Sequence, residues 1–510
     1  MNGNNMQKEF GDYQTPLDFA EKVCCYLKDY MDINPKIVIE PTCGIGNFIT
    51  ASLKTFSSIE KAFGIEINLE YTDICRQNNN NDSRLEIYHD NFFTFNTRKL
   101  ANNCLVIGNP PWVTNSDLNF NLPEKMNFKN LSGMDAITGG SNFDICEYII
   151  LKLIEEFNGT ESTIAMLCKT SVARNVLLEL NRNDRDVESV KMLNFNANKV
   201  FNIGASACLL VINLSKGHKN YKECKVYDID EPKKIVDIIK VKDGKLSSGL
   251  AEVEDLGGNC ELEWRQGVKH DVSKIMELVK VGDNTYKNGN KEEVELEDTI
   301  VFPLLKSSHF KSPVIKNNFK KYVIVTQKKA RQDTSFIKNV APKTWEYLNK
   351  NKTLFDNRKS SIYNGAPDFS MFGVGDYSYA KYKVGVSGFY KKALFCLCYN
   401  DTNIEHPVMG DDTSYFLAFD DYDTAYACML LLNRKKVQDY LFSISFQDAK
   451  RPYTKKVLSS ICLKKAVDKV TLQELIDTEQ ELKLEAKIDN DMYNKLKNML
   501  NTYQISITEL

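Results

Sequence analysis

Lys36-Ile37-Val38-Ile39-Glu40-Pro41-Thr42-Cys43-Gly44-Ile45-Gly46-Asn47-Phe48 is the stretch that decides the fold of this chain. Its opening is a short, mostly apolar run that stops at a turn, which predicts a buried strand. Gly44 and Gly46 let the backbone turn sharply and let a ligand come close. A helix is predicted from there to about Thr55. The spacing is not G-x-G-x-x-G and no phosphate-holding lysine follows, which excludes a P-loop. Glu40, at the strand end, would set a carboxylate against a cationic group such as an amino-acid ammonium. Taken alone, the loop reads equally well as purely structural.

The same pattern recurs downstream. Ala62-Phe63-Gly64-Ile65-Glu66-Ile67 reads as a strand, followed by a helix from Leu69 to about Gln77. Glu66 lies 20 residues after Gly46, and an acid at that distance accepts from ribose hydroxyls in doubly wound nucleotide-binding sheets. In Leu85-Glu86-Ile87-Tyr88-His89-Asp90-Asn91-Phe92, Asp90 at the strand end can accept from an adenine amino group and Phe92 can cover the ring. Cys104-Leu105-Val106-Ile107-Gly108 then runs into Asn109-Pro110-Pro111-Trp112. Two prolines cannot continue a ladder, so this strand ends in a rigid loop. It offers a side-chain amide, the Pro110 carbonyl and an indole face, a set suited to a planar substrate bearing an NH2 group. Four strand-end sites with helices between them predict an α/β, doubly wound, Rossmann-like sheet with its chemistry along one edge. Thr163 to Cys168 and Ala205 to Ile212 read as later strands, the second preceded by Val200-Phe201-Asn202. Glycine- and serine-rich composition between Lys240 and Asn259 predicts a catalytic domain over 1–245, a linker over 246–260 and a second domain over 261–510.

Composition narrows the class. At 510 residues the chain exceeds what one core usually serves. Its 43% hydrophobic and 26% charged content is ordinary for a globular protein. There is no membrane-length apolar run, and Met1 to Gly11 lacks the apolar core of a signal peptide. The 14 cysteines have no CxxC spacing and suit reduced thiols in a cytoplasm. The 5 histidines are not paired at ligand spacing, which argues against zinc. The net charge of −2 conceals a strong asymmetry: residues 301–400 carry 16 Lys and 2 Arg against 5 acids, a net +13. Aromatics are interleaved there, among them Phe302, Tyr322, Trp345, Tyr363, Tyr377, Phe389 and Tyr390. Such a segment suits a phosphate backbone and exposed bases.

Together these segments resemble the S-adenosylmethionine-dependent N6-adenine DNA methyltransferases of bacterial type II restriction-modification systems. Phe10-Gly11-Asp12-Tyr13-Gln14-Thr15-Pro16 resembles the N-terminal cofactor motif of that family. Its place ahead of the glycine loop, with a large C-terminal region following, matches the gamma arrangement. The similarity runs from about Phe10 to Leu214. It implies S-adenosyl-L-methionine as cofactor, with Tyr13 and Thr15 at the methionine part and Glu40, Gly44 and Gly46 beside the methionine and sulfonium. Glu66 would hold the ribose, and Asp90 and Phe92 the adenine. Phe143, in Ser141-Asn142-Phe143-Asp144, would flank that adenine, and Asn109 would serve cofactor and target alike.

The resemblance also implies the reaction, which needs no metal. The target adenine leaves the duplex stack, and Asn109, Pro110, Pro111 and Trp112 form the catalytic loop. The Asn109 side-chain oxygen and the Pro110 carbonyl would accept from the N6 amine, with Trp112 and Phe201 as the two sides of the base pocket. Asparagine at the first position points to adenine, since cytosine-N4 enzymes of this kind usually carry serine. Tryptophan replaces the commoner tyrosine at 112, keeping the stacking face and dropping the phenol.

The C-terminal half is expected to be an α+β target-recognition domain. Glu263-Trp264-Arg265-Gln266-Gly267-Val268-Lys269-His270-Asp271 resembles the start of such regions. Lys306, Lys328, Lys329, Arg331, Arg358 and Lys391 are candidate DNA contacts; lysines favour phosphates, whereas arginine and glutamine can read base edges. Thr471 to Leu500 reads as one polar helix. Double-stranded DNA is the expected partner, with a cognate endonuclease acting on the same site as a possible second. Two alternatives stand beside this reading. One is a protein-glutamine or RNA methyltransferase: release-factor methyltransferases also carry Asn-Pro-Pro before an aromatic, but lack a basic region of this size. The other is a catalytically silent DNA-binding subunit, against which the intact loop and the cofactor acids argue.

Overall fold

The computed structural model describes residues 13–79, 82–113, 144–183, 185–218, 221, 223–242, 244–250, 253–317, 319–402 and 406–507. The chain forms two compact units, Met1–Glu252 and Val253–Leu510. The first is built on one ten-stranded sheet, its strands numbered in chain order: β1 (Ile37–Glu40), β2 (Lys61–Glu66), β3 (Leu85–His89), β4 (Leu105–Gly108), β5 (Thr163–Lys169), β6 (Val187–Asn196), β7 (Ser206–Leu214), β8 (Glu223–Asp228), β9 (Glu231–Lys242) and β10 (Lys245–Ser248). Their spatial order is β10-β9-β8-β6-β7-β5-β4-β1-β2-β3. β1 pairs in parallel with both β2 and β4, β2 with β3 and β4 with β5. β7 is inserted antiparallel between β5 and β6.

The apolar runs are explained by this arrangement. β4 is buried along its whole length and β5 over its five central residues, as strands covered on both faces must be. Helices Leu17–Met31, Asn47–Thr55, Leu69–Asn78, Ile145–Phe157 and Thr170–Arg182 supply the covering layers. The strand order reverses between β1 and β4, and in open α/β sheets the crevice at such a reversal is where ligands bind. The end of β1 and the end of β4, the two segments singled out above, meet there.

Two expectations are corrected. The sheet does not finish before the expected linker at 246–260: in β10, Ser248 still pairs with Ile239 of β9. β10 is a short, mostly polar edge strand, Lys245-Leu246-Ser247-Ser248, so it reads as linker composition. The single helix expected over Thr471 to Leu500 is two, Leu472–Glu481 and Asn490–Ile507. Lys483 takes a left-handed φ of 56°, and the Glu479 carboxylate accepts from the N–H groups of Lys487 and Ile488 at 2.9 and 3.0 Å, fixing the break.

The second unit is mixed α+β. A five-stranded sheet runs in the order Arg265–Gln266, Ser414–Phe419, Tyr382–Ser387, Cys396–Tyr399, Val314–Lys316. A second, of six short strands, includes Glu277–Gly282, Tyr322–Ile324 and Val301–Leu305. Helix Tyr422–Asn433 is almost wholly buried within a core that also holds Trp264, Phe395, Leu417 and Leu496. Among the described residues no helix is long and apolar enough to cross a membrane.

Candidate active site

The loop after β1 is held by hydrogen bonds that it donates to its neighbours. The Glu66 carboxylate, at the end of β2, accepts from the N–H groups of Gly44 and Asn68, each at 2.8 Å. Gly44 and Gly46 have φ of 51° and 80°, a region that disfavours any side chain. A Cβ on Gly44 would strike the Gln14 amide and one on Gly46 the Cys75 sulfur, so glycine is required twice over. Gln14 Oε1 accepts from the Ile45 N–H at 3.2 Å, and Asn47 Nδ2 donates to the Thr15 carbonyl at 2.7 Å. The segment that begins at Tyr13 is thereby laid along the glycine loop.

Glu40 ends β1 with only 3% of its surface exposed. One carboxylate oxygen accepts from the Ile49 N–H at 3.2 Å, in the first turn of helix Asn47–Thr55. Burial holds its carboxyl well above the usual carboxylate range, because a desolvated anion is costly without a cation beside it. A ligand ammonium would supply that cation.

The loop after β4 meets the same segment. Asn109 Nδ2 donates to the Tyr13 carbonyl at 2.8 Å. That bond fixes the amide, because a carbonyl oxygen accepts only from the NH2 side. Asn109 Oδ1 is consequently turned the other way, buried and without a hydrogen-bond partner. Trp112 is buried, its indole N–H donating to the Leu167 carbonyl at 3.3 Å. Phe201 ends the short helix Ala197–Phe201 and meets Trp112 edge to face, with centroids 5.5 Å apart at 73°. The two rings expected as opposite walls of a base pocket therefore touch, leaving no parallel slot. Phe201 is half-buried and also packs against Tyr13, Phe19 and Phe195 in tilted or edge contacts.

These elements enclose a cavity of about 570 Å³ lined by Tyr13, Thr15, Glu40, Gly44, Glu66, Asp90, Phe92 and Asn109, among others. Asp90 is exposed at the end of β3. Phe92 is buried, with the Lys152 ammonium 4.4 Å from its ring centroid. The lining further includes Gln14, Ile67, Tyr71 and Phe93, none of them singled out from the sequence as site residues. Ile67 is 49% exposed; an apolar residue directly after a strand-end acid was the available signal. Phe143 lies outside the described residues, as do Phe10, Gly11 and Asp12. Asp144, beside Phe143, caps helix Ile145–Phe157 and pairs with Lys169 at 2.9 Å.

The model of the family described as N-6 DNA Methylase matches residues 1–255. The type II methyltransferase M.NspV of Nostoc sp. (strain ATCC 29411 / PCC 7524) is 40% identical over 479 residues, 90% of this chain and 98% of that protein. The chain belongs to the N-6 DNA methylase family. Another relative, the type II methyltransferase M.CvrRI of Paramecium bursaria Chlorella virus XZ-6E, is 26% identical over 190 residues, 36% of this chain and 44% of that protein. Among solved structures, a type I restriction-modification methyltransferase subunit from Streptococcus thermophilus is 13% identical over 42% of this chain and 47% of that one, with a TM-score of 0.31.

This N-6 DNA methylase carries its expected DNA-contacting cations in two different states. Lys306 is spent: its ammonium holds both oxygens of Glu277 at 2.7 and 2.8 Å. Arg358 is engaged as well, donating to the carbonyls of Phe355 at 2.9 Å, His270 at 3.3 Å and Ser370 at 2.5 Å, with its Cζ 3.6 Å from the Tyr363 ring centroid. Lys391 donates to the carbonyls of Gln447 and Ala449. These three hold loops together within the second unit, Lys391 while remaining exposed. Lys328, Lys329 and Arg331 are exposed.

Proposed function

We propose that this DNA methyltransferase is adenine- and site-specific, moving a methyl group from S-adenosyl-L-methionine to the N6 amine of an adenine flipped out of double-stranded DNA. We place it in a restriction-modification system whose endonuclease acts on the same site. The observation that carries this reading is the buried, unpartnered Asn109 Oδ1. A buried acceptor without a donor is costly, and an exocyclic amine entering the pocket supplies the missing N–H.

The cavity suits the cofactor. Glu40 offers a desolvated carboxylate to the ammonium, Glu66 stands at the lip for the ribose hydroxyls, and Asp90, Ile67 and Phe92 suit the purine. When bound, S-adenosylmethionine supplies a sulfonium methyl that a nitrogen lone pair can displace, leaving neutral S-adenosylhomocysteine. The chain's own work is positioning and electrostatics. Asn109 Oδ1 and the Pro110 carbonyl accept from the amine N–H groups and draw the nitrogen out of conjugation with the ring. That leaves its lone pair directed at the methyl. Tyr13 holds the Asn109 amide in the orientation this requires, and the prolines keep the loop rigid. Trp112, pinned through Leu167, gives the pocket one fixed aromatic edge, and the half-buried Phe201 ring would supply the stacking face. With the cofactor in place, the amine nitrogen would gain the methyl as the S–C bond is lost, and the amine proton would pass to solvent.

The test is to incubate unmethylated bacterial genomic DNA with the protein and the cofactor and sequence single molecules. N6-methyladenine at one recurring motif is the expected result. Methylation of cytosine, or of adenine with no motif, would overturn the reading.

A further inference from the structure

The second unit contains five arginines, and four are engaged within it. Arg265 pairs with Glu263 and lies 4.3 Å from the Tyr377 ring centroid. Arg358 holds three carbonyls, as above. Arg434 pairs with Glu474 at 2.7 Å. Arg451 donates to the Asp412 carbonyl at 3.2 Å and lies 4.7 Å from the Phe389 ring centroid. Arg331 alone makes no hydrogen bond, ion pair or ring contact among the described residues.

Its setting is built rather than loose. Gln327, only 1% exposed, accepts from the Met371 N–H at 2.9 Å and donates to the Gln332 carbonyl and, at 3.3 Å, to Ser370 Oγ. Gln332 Oε1 accepts from the N–H groups of Lys328 and Lys329 at 2.8 and 3.2 Å. The Gln332 N–H closes the turn on the Lys329 carbonyl at 3.1 Å. On either side, Thr326 and Thr334 donate to the carbonyls of Phe369 and Asp368 at 2.8 and 2.7 Å. The nearest acid in sequence, Asp333, is occupied by Ser335. The buried Gln327 side chain and the Gln332 side-chain oxygen are thus engaged in shaping the turn. What the turn displays is Lys328, Lys329 and Arg331, all exposed, with Arg331 at a left-handed φ of 64°. A non-glycine residue in that region signals a local constraint worth a functional explanation.

We infer that the Gln327–Gln332 turn is a DNA-reading element in which Arg331 reads a guanine edge while Lys328 and Lys329 hold flanking phosphates. Guanine is the base whose O6 and N7 match a guanidinium fork in the major groove, whereas an ammonium is a point charge suited to phosphate. Two lysines beside one arginine on a rigid turn supply both functions at fixed spacing. The recognition sequence of this enzyme accordingly contains a G·C pair whose identity depends on Arg331. This inference rests on the DNA-substrate part of the proposed function, but not on which atom is methylated.

The experiment is selection of bound duplexes from a randomised pool by the full chain with S-adenosylhomocysteine present, followed by sequencing. Wild type should yield a motif with an invariant guanine. Arg331→Ala should lose preference at that position alone, by about tenfold or more. Arg331→Lys, which keeps the charge without the fork, should lose the same preference while keeping affinity for random DNA, and it serves if the alanine variant folds poorly. Lys328→Ala/Lys329→Ala should keep the motif, weaken all sequences alike and lower the slope of log affinity against log salt by about two. An unchanged motif in both Arg331 variants, or a wild-type motif with no guanine, would overturn the inference. Because selection reads binding, failure to methylate adenine would strike the proposed function and leave this result standing.

Discussion

Replacing Asn109 separates the two tasks of one side chain. Oδ1 is the buried acceptor proposed for the amine, while Nδ2 ties the loop to the Tyr13 carbonyl at 2.8 Å. Asn109→Ala removes both. Removing a preorganised hydrogen-bonding group aimed at developing charge costs about 10²- to 10³-fold in kcat, or about 2.7–4 kcal/mol. Loss of the tie to Tyr13 costs about 0.5–1.5 kcal/mol, roughly a two- to tenfold weakening of cofactor binding. Asn109→Asp keeps an acceptor but sets a carboxylate oxygen against the Tyr13 carbonyl, where two acceptors repel. It should therefore weaken cofactor binding more than the alanine variant does. Single-turnover methylation with labelled cofactor gives the first quantity and equilibrium titration of the cofactor the second. Transfer within about threefold of wild type in Asn109→Ala would refute the argument from the unpartnered oxygen.

Other groups yield further expectations. Glu40 has a carboxyl raised by burial, and a cationic ligand needs its ionised form, so cofactor affinity should fall as pH falls through that raised value. Glu40→Gln should bind weakly with no such dependence; an unchanged pH profile would count against the ammonium contact. Without ligand the sign is reversed: a raised carboxyl pKa favours the fold at low pH and less as pH rises, so Glu40→Gln should melt higher than wild type in alkaline buffer. Lys306→Ala should leave the salt dependence of DNA binding unchanged while lowering the melting temperature, because Glu277 loses its partner; a reduced salt slope would restore Lys306 as a phosphate contact. Lys383 is buried in strand Tyr382–Ser387, donates to the Ala380 carbonyl at 2.8 Å, and is pulled down to about 7 by burial. Between that value and the unfolded value of about 10.4 the unfolded chain binds more protons, so stability should rise with pH across that window. Lys383→Met should abolish the rise in denaturant titrations; a persisting slope would contradict the assignment.

The edge of the sheet that carries the candidate site was legible because its signals are local. Each strand-end acid, glycine or Asn-Pro-Pro stands within a few residues of the apolar run that positions it. What escaped depends on partners remote in sequence. Asn109 and Tyr13 are 96 residues apart, Lys306 and Glu277 are 29, and Arg358 and His270 are 88. No local pattern tells a cation spent on a carboxylate from one open to a phosphate, so the +13 segment mixed both kinds. The edge-to-face contact of Trp112 and Phe201 was hidden similarly, since composition names the rings and not their angle. The strands β6 and β8 to β10 were missed because they lie toward one margin of the sheet and interleave charged with apolar residues; β9 buries only Ile239.

The central claim is that the amine held by Asn109 belongs to adenine in DNA. It is tested most directly by exposing a mixture of DNA, RNA and a glutamine-containing protein to methyl-labelled S-adenosylmethionine and this protein, then digesting each fraction and resolving the products. The result predicted is label in N6-methyladenine from DNA, entering about 10²- to 10³-fold more slowly with Asn109→Ala. Label in N4-methylcytosine, RNA or methylglutamine instead would contradict it.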